Sequence, residues 1–319
     1  MEKTLSTLQG TTNAATVRKE LADLQNTIST LPTNAAISAI RQALDSKKDA
    51  STHTGFTITG GGFLNEAPTM RTFLLDQLGR IDPAAAAEYS KRVLGSMDSS
   101  DEWAVALRNL ARGDQSQPGR QLLAEKIGAM LHHEPWQQNP SVGYLEAFDV
   151  AVYLGGTSLL PTLSDLVRRA DNPAVAHAAF LALDRLVINS PAETLAALQA
   201  DPGLMQGRES TRADYFARAD VRDPQQKQVL ENYLLDARRS AAELETFVGI
   251  FPNANFMISP NLLTPTPTLD HAALTARDAA SLQAAQEWLD DPRFVRLRPE
   301  LQKTISRLQE FVRQAKAGQ

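Results

Sequence analysis

The sequence contains no cysteine, which excludes disulfides, thiolate metal sites and a cysteine nucleophile. A thiol-free chain of this length suits an oxidising space such as a bacterial periplasm. Met1-Glu2-Lys3 nevertheless leads into Thr-rich sequence with no apolar signal core. The compartment expected is the cytoplasm, or the periplasm or exterior if a leader or anchor has been removed. No apolar run is long enough to span a bilayer.

Aromatic residues are also scarce, at 6% of the chain, while alanine and leucine dominate. That balance favours helices packed on helices over sheets, which draw on β-branched and aromatic side chains. The five histidines are His53, His132, His133, His177 and His271. None falls in a His-Glu-x-x-His zinc helix, and neither a calcium loop nor a Gly-x-Ser-x-Gly elbow is present. Gly60-Gly61-Gly62 is not followed by Gly-Lys-Ser/Thr, so it reads as a flexible break and not as a phosphate loop. No catalytic residue, metal or cofactor is therefore expected. The formal net charge of -5 argues against nucleic acid, whose backbone is held by clustered Lys and Arg. Arg168-Arg169 and Arg238-Arg239 are isolated pairs that suit helix ends.

What remains is helix periodicity. In residues 13–31, Val17, Leu21, Leu24, Ile28 and Leu31 alternate spacings of four and three, a short heptad seam. Pro32 stops it, and Asn34 to Leu44 offers a second helix. Residues 1–45 are expected as a helical hairpin on the main body, with self-association through the seam as the alternative. Residues 46–66 read as a Gly-rich linker. From 67 to 201 helices alternate with short connections: 68–80, a restart at Asp82-Pro83, 101–112, 121–131, 144–154, 159–169, 173–187 and 191–198. Leading starts near 68, 101, 142 and 173 recur at roughly 30 to 40 residues, the spacing of stacked helical repeats.

Leu163-x-x-Leu166-Val167 is followed by Asp171-Asn172-Pro173-Ala174-Val175, then Ala178-Ala179, Ala182-Leu183 and Leu186. This stretch resembles a HEAT-type repeat. Leu75, Leu78-Gly79 and Ile81-Asp82-Pro83, with Ala86 and Val93, form a looser second match. The resemblance covers about four units. His177 stands where the family often carries a basic ladder residue after the valine. The resemblance implies an all-α fold, an α-solenoid of hairpins with extra N- and C-terminal helices, and by analogy a curved protein-binding surface.

Residues 202–319 form a C-terminal helical region, with helices at 225–235, 241–250, 272–289 and 299–315. Between them lies a long Pro-rich strap, 251–270. Pro252, Pro260, Pro265 and Pro267 exclude helix, whereas Phe251, Phe256, Met257, Ile258, Leu262 and Leu263 call for burial. A segment of this length serves as a strap or as a functional loop. Candidate binding residues are Trp136, on a connection between repeats, Phe256 in the strap, and the pair His132 and His133 at a helix end. The function expected is a non-enzymatic protein-interaction scaffold with a protein or peptide partner. The alternative is a helical-toroid enzyme or small-ligand binder with 251–270 as its lid.

Overall fold

The computed structural model describes residues 1–257, 259–266, 268 and 270–317. The chain is all-α apart from one minimal hairpin. It divides into two compact units. Unit 1 comprises Met1–Leu154 with Ser259–Thr266, and unit 2 comprises Gly155–Ile258 with Pro267–Gln319. Among the described residues, no helix is long and apolar enough to cross a membrane.

Unit 1 runs α1 (Glu2–Gln9), α2 (Ala14–Ser29) and α3 (Thr33–Asp45), then β1 (Thr57–Ile58) and β2 (Leu64–Glu66). It continues with α4 (Met70–Ile81), α5 (Pro83–Val93), α6 (Ser100–Gly113) and α7 (Gln117–Leu131). Three short turns follow, α8 (Glu134–Gln138), α9 (Val142–Glu146) and α10 (Asp149–Leu154). At the restart, Asp82 caps α5 by accepting from the Ala85 amide at 2.9 Å while Pro83 takes the first helical position. α5 packs tightly on α6. A Cβ at Gly113 would lie 1.9 Å from the Pro83 carbonyl oxygen, so only glycine permits that approach.

The heptad seam closes inside unit 1. Val17, Leu21, Leu24 and Ile28 are buried, and Leu31 alone is exposed. α1, which the periodicity did not mark, packs on α2. The apolar row is therefore core, which leaves no seam for a second copy along those four residues.

Residues 46–66, expected as a linker, are folded onto the unit. β1 and β2 pair antiparallel, and Ala50, Thr52, Phe56 and Leu64 are buried. The glycines form the turn, with Gly62 at φ +73 and its amide donating to the Thr59 carbonyl at 2.9 Å. Arg108 on α6 is fully buried. Its guanidinium donates to Asp76 of α4 at 2.5 Å and to the Gly62 carbonyl at 3.0 Å. Arg80, Arg108 and Arg112 all lie over the Phe63 ring, at 4.6, 4.8 and 4.4 Å from its centroid.

Unit 2 contains α11 (Leu160–Val167), α12 (Pro173–Asn189), α13 (Pro191–Ala200), α14 (Glu209–Phe216), α15 (Pro224–Leu235) and α16 (Ala241–Ile250). α17 (His271–Asp290) follows, with a 3₁₀ turn (Pro292–Leu297) and α18 (Arg298–Ala317). α11 and α12 form a hairpin. Val175, Ala179, Ala182, Leu183 and Leu186, the residues that carry the repeat resemblance, are buried on α12. The core of this unit is aromatic. Phe216 stacks on Tyr233 at 4.0 Å, and the series continues through Phe247, Phe251 and Trp288 at 5.8, 5.0 and 6.0 Å. Glu243 is buried and takes both ends of the Arg212 fork at 2.7 Å.

The described residues of 251–270 form neither helix nor strand, as the prolines dictate. Phe251 and Leu262 are fully buried. In unit 1, the Asp149 carboxylate accepts from the Leu263 and Thr264 amides at 2.8 and 3.0 Å, and from the Thr264 hydroxyl. In unit 2, the Asn253 amide donates to the Ala217 carbonyl at 2.7 Å. Ile258, Pro267 and Leu269 of the expected strap lie outside the described residues.

Candidate functional site

Unit 2 contains a cleft of about 360 Å³ that gathers several charged groups. Its walls come from the end of α12, the start of α13, the 218–222 turn, residues 253–256, and the first two turns of α17. Arg218, Arg222 and Arg277 all line it, with Asp220, Asp270, Gln226 and Asn253. Val187, Ile188, Pro191, Leu274 and Phe256 line it as well.

Each polar group has an identifiable anchor. Arg218 follows α14 and reaches back to Asp184 of α12, forming two hydrogen bonds at 2.5 and 2.9 Å. Burial pushes the Asp184 carboxyl above its ordinary range, and the Arg218 charge only partly offsets this. Arg222 forks onto Asp220 with contacts of 2.6 to 3.1 Å. Burial raises Asp220, but the hydrogen bonds and charge of Arg222 outweigh it, so its pKa falls below the usual value. The Asp220 amide donates to Gln226 Oε1 at 2.8 Å, which fixes the turn against α15. Asp270 caps α17 by accepting from the Ala272 and Ala273 amides.

Arg277 is different. Its Nη2 donates to the carbonyls of Arg218 and Ala219, at 2.7 and 3.5 Å. Its buried Nε has no hydrogen-bond partner among the described residues. Among the described residues Arg277 makes no ion pair, whereas Arg218 and Arg222 each hold a carboxylate. Burial lowers its pKa, and the nearby Arg218 and Arg222 charges lower it further against Asp220 and Asp278. It still carries its charge near neutral pH, because a guanidinium ordinarily titrates far above that range.

Of the residues singled out from sequence, Phe256 lines this cleft and is half-buried. Trp136, His132 and His133 belong to unit 1. Trp136 packs edge-on against Trp103 at 5.6 Å and Tyr144 at 6.5 Å, with the His133 ring at 4.4 Å. Its ring locks α8 onto α6 and α9. His132 is exposed, with Nδ1 at 2.8 Å from the Gly128 carbonyl in the last turn of α7, a helix-ending contact. Among the described residues no group of three or more metal-ligating side chains comes together.

Sequence reading passed over Arg218, Arg222 and Arg277. The signal for the first two was the alternating charge of Arg218-Ala219-Asp220-Val221-Arg222-Asp223. Arg277 sits alone in an alanine-rich helix and gives no local sign. Comparison of the chain with protein-family models, curated proteins and solved structures finds no match.

Proposed function

We propose that the chain is a non-enzymatic binding protein whose ligand site is the arginine-lined cleft of unit 2, taking a small organic anion. The observation that carries this reading is Arg277: a guanidinium on a concave wall, held in place by backbone carbonyls yet without a carboxylate of its own. Keeping a cation half-buried costs solvation energy. An anionic ligand recovers that cost with a charge-assisted hydrogen bond. Phe256 places the strap in one wall of the site, which is consistent with the strap as part of the binding apparatus. The two carboxylates on the cleft are committed as the partner of Arg222 and as the cap of α17, which supports binding over acid–base chemistry.

The test is thermal unfolding of the full chain with acetate, benzoate and inorganic phosphate at millimolar concentration. A ligand at 100 times its Kd adds about 2.7 kcal/mol to stability. The stabilisation should vanish in Arg277→Gln. Equal response of both proteins, or of neither, defeats the proposal.

A second reading, the protein-interaction scaffold, is favoured by the α11–α12 hairpin, where the HEAT-like residues occupy buried positions. In that reading the hairpins stack as repeats into a solenoid, and the partner is a protein or peptide.

A further inference from the structure

Resting on the cleft as an anion site, the geometry points to a narrower ligand class: we infer that the cleft takes a single carboxylate carried on an apolar, ring-sized body. The carboxylate pairs with Arg277 and the body lies against Phe256, Ile188 and Leu274.

Charge matching sets the head group. Arg218 is satisfied by Asp184, and Arg222 by Asp220. Arg277, by contrast, has no carboxylate in direct contact among the described residues, although the charges of Asp220 and Asp278 act on it. Asp220 and Asp270 stand on the same walls, and both repel a second negative charge brought into the cleft. Di- and triphosphates and dicarboxylates meet more of that repulsion than a monoanion does. With Nη2 spent on the Arg218 and Ala219 carbonyls and Nε buried, Nη1 is left for a single charge-assisted hydrogen bond to a carboxylate oxygen.

The remaining wall sets the body. Val187 is fully buried, and Ile188, Pro191, Leu274 and Phe256 give the same cleft its apolar lining. A bare anion such as acetate leaves it wet, while a ring covers it, at about 25 cal/mol per Å² removed from water. The volume, about 360 Å³, lies near the small end of ligand sites. It suits one ring with a short acid arm. Phe256 offers an aromatic face for that ring, in offset or edge-on contact.

The experiment is isothermal titration of the full chain with 3-phenylpropionate, its amide 3-phenylpropionamide, acetate and inorganic phosphate. The acid is expected to bind at least tenfold more tightly than the amide, acetate or phosphate. Arg277→Gln should remove that advantage over the amide. Phe256→Ala, on a half-buried strap residue, should weaken the acid at least threefold and leave acetate unchanged. Circular dichroism of each variant checks folding, and Phe256→Ala carries the test if Arg277→Gln unfolds. Acetate or phosphate binding as tightly as the acid, with dependence on Arg277, overturns the apolar-body inference and leaves the anion site intact. No heat from any anion, with the protein folded, overturns both.

Discussion

The Asp149 carboxylate accepts the backbone amide of Leu263 at 2.8 Å, although the two residues are 114 positions apart in the chain. With the Thr264 amide and hydroxyl on the same side chain, this contact fixes the middle of the Pro-rich strap to unit 1. Leu262 is fully buried beside it, and its carbonyl accepts from Arg112 at 3.1 Å. Asp149→Ala strands two amides with no acceptor. The expected loss is about 2–3 kcal/mol, with new proteolytic cleavage at 259–266. Unchanged melting and an uncut strap would count against the clamp.

The glycine turn packs against the same strap. A Cβ at Gly62 would lie 2.2 Å from the Leu262 carbonyl, and its φ of +73 disfavours any other residue. Gly60 has open space around it. Gly62→Ala should therefore cost more than 1 kcal/mol, while Gly60→Ala stays within about 0.5 kcal/mol. Denaturant midpoints of the two variants check this, and equal values would refute it.

Arg108 and Asp76 form a fully buried ion pair. Burial lowers the Arg108 pKa and Asp76 restores part of it. Without Arg108, the buried Asp76 keeps Arg80 at 2.8 Å and the Leu64 amide at 3.0 Å. Arg108→Met is expected to destabilise unit 1 by about 2–3 kcal/mol. A loss below about 1 kcal/mol, by urea unfolding, would show that the pair is not closed in solution.

Tyr89 gives a pH test. Burial first, then its hydrogen bond to Asp45 at 2.9 Å, push its phenol up to about 12 from 10.0. The fold thus favours the neutral ring. Its contribution is complete below pH 10 and is lost as pH rises through about 12. The melting temperature of wild type should fall more steeply over that window than that of Tyr89→Phe. Parallel curves would exclude this assignment.

Much of the helix pattern was legible in the sequence because caps and prolines act locally. Asp82-Pro83, Asn172-Pro173 and Asp223-Pro224 all start helices with the Asx side chain capping. Burial of α12 followed its Val175-to-Leu186 pattern. The 46–66 segment was misjudged because its anchors, Asp76 and Arg108, come from distant helices. The heptad of α2 was equally ambiguous: an apolar stripe does not say whether its cover comes from the same chain. The cleft was the least legible feature. Arg218, Arg222 and Arg277 meet only through the packing of α14, α15 and α17, and no spacing in the sequence encodes that.

Hydrogen–deuterium exchange with and without saturating 3-phenylpropionate tests the binding site most directly. Ligand should slow exchange in 217–222, 253–256 and the first two turns of α17, with no such change in Arg277→Gln. Unchanged exchange in all three segments, or protection elsewhere in the chain, would contradict the assignment of this cleft as the ligand site.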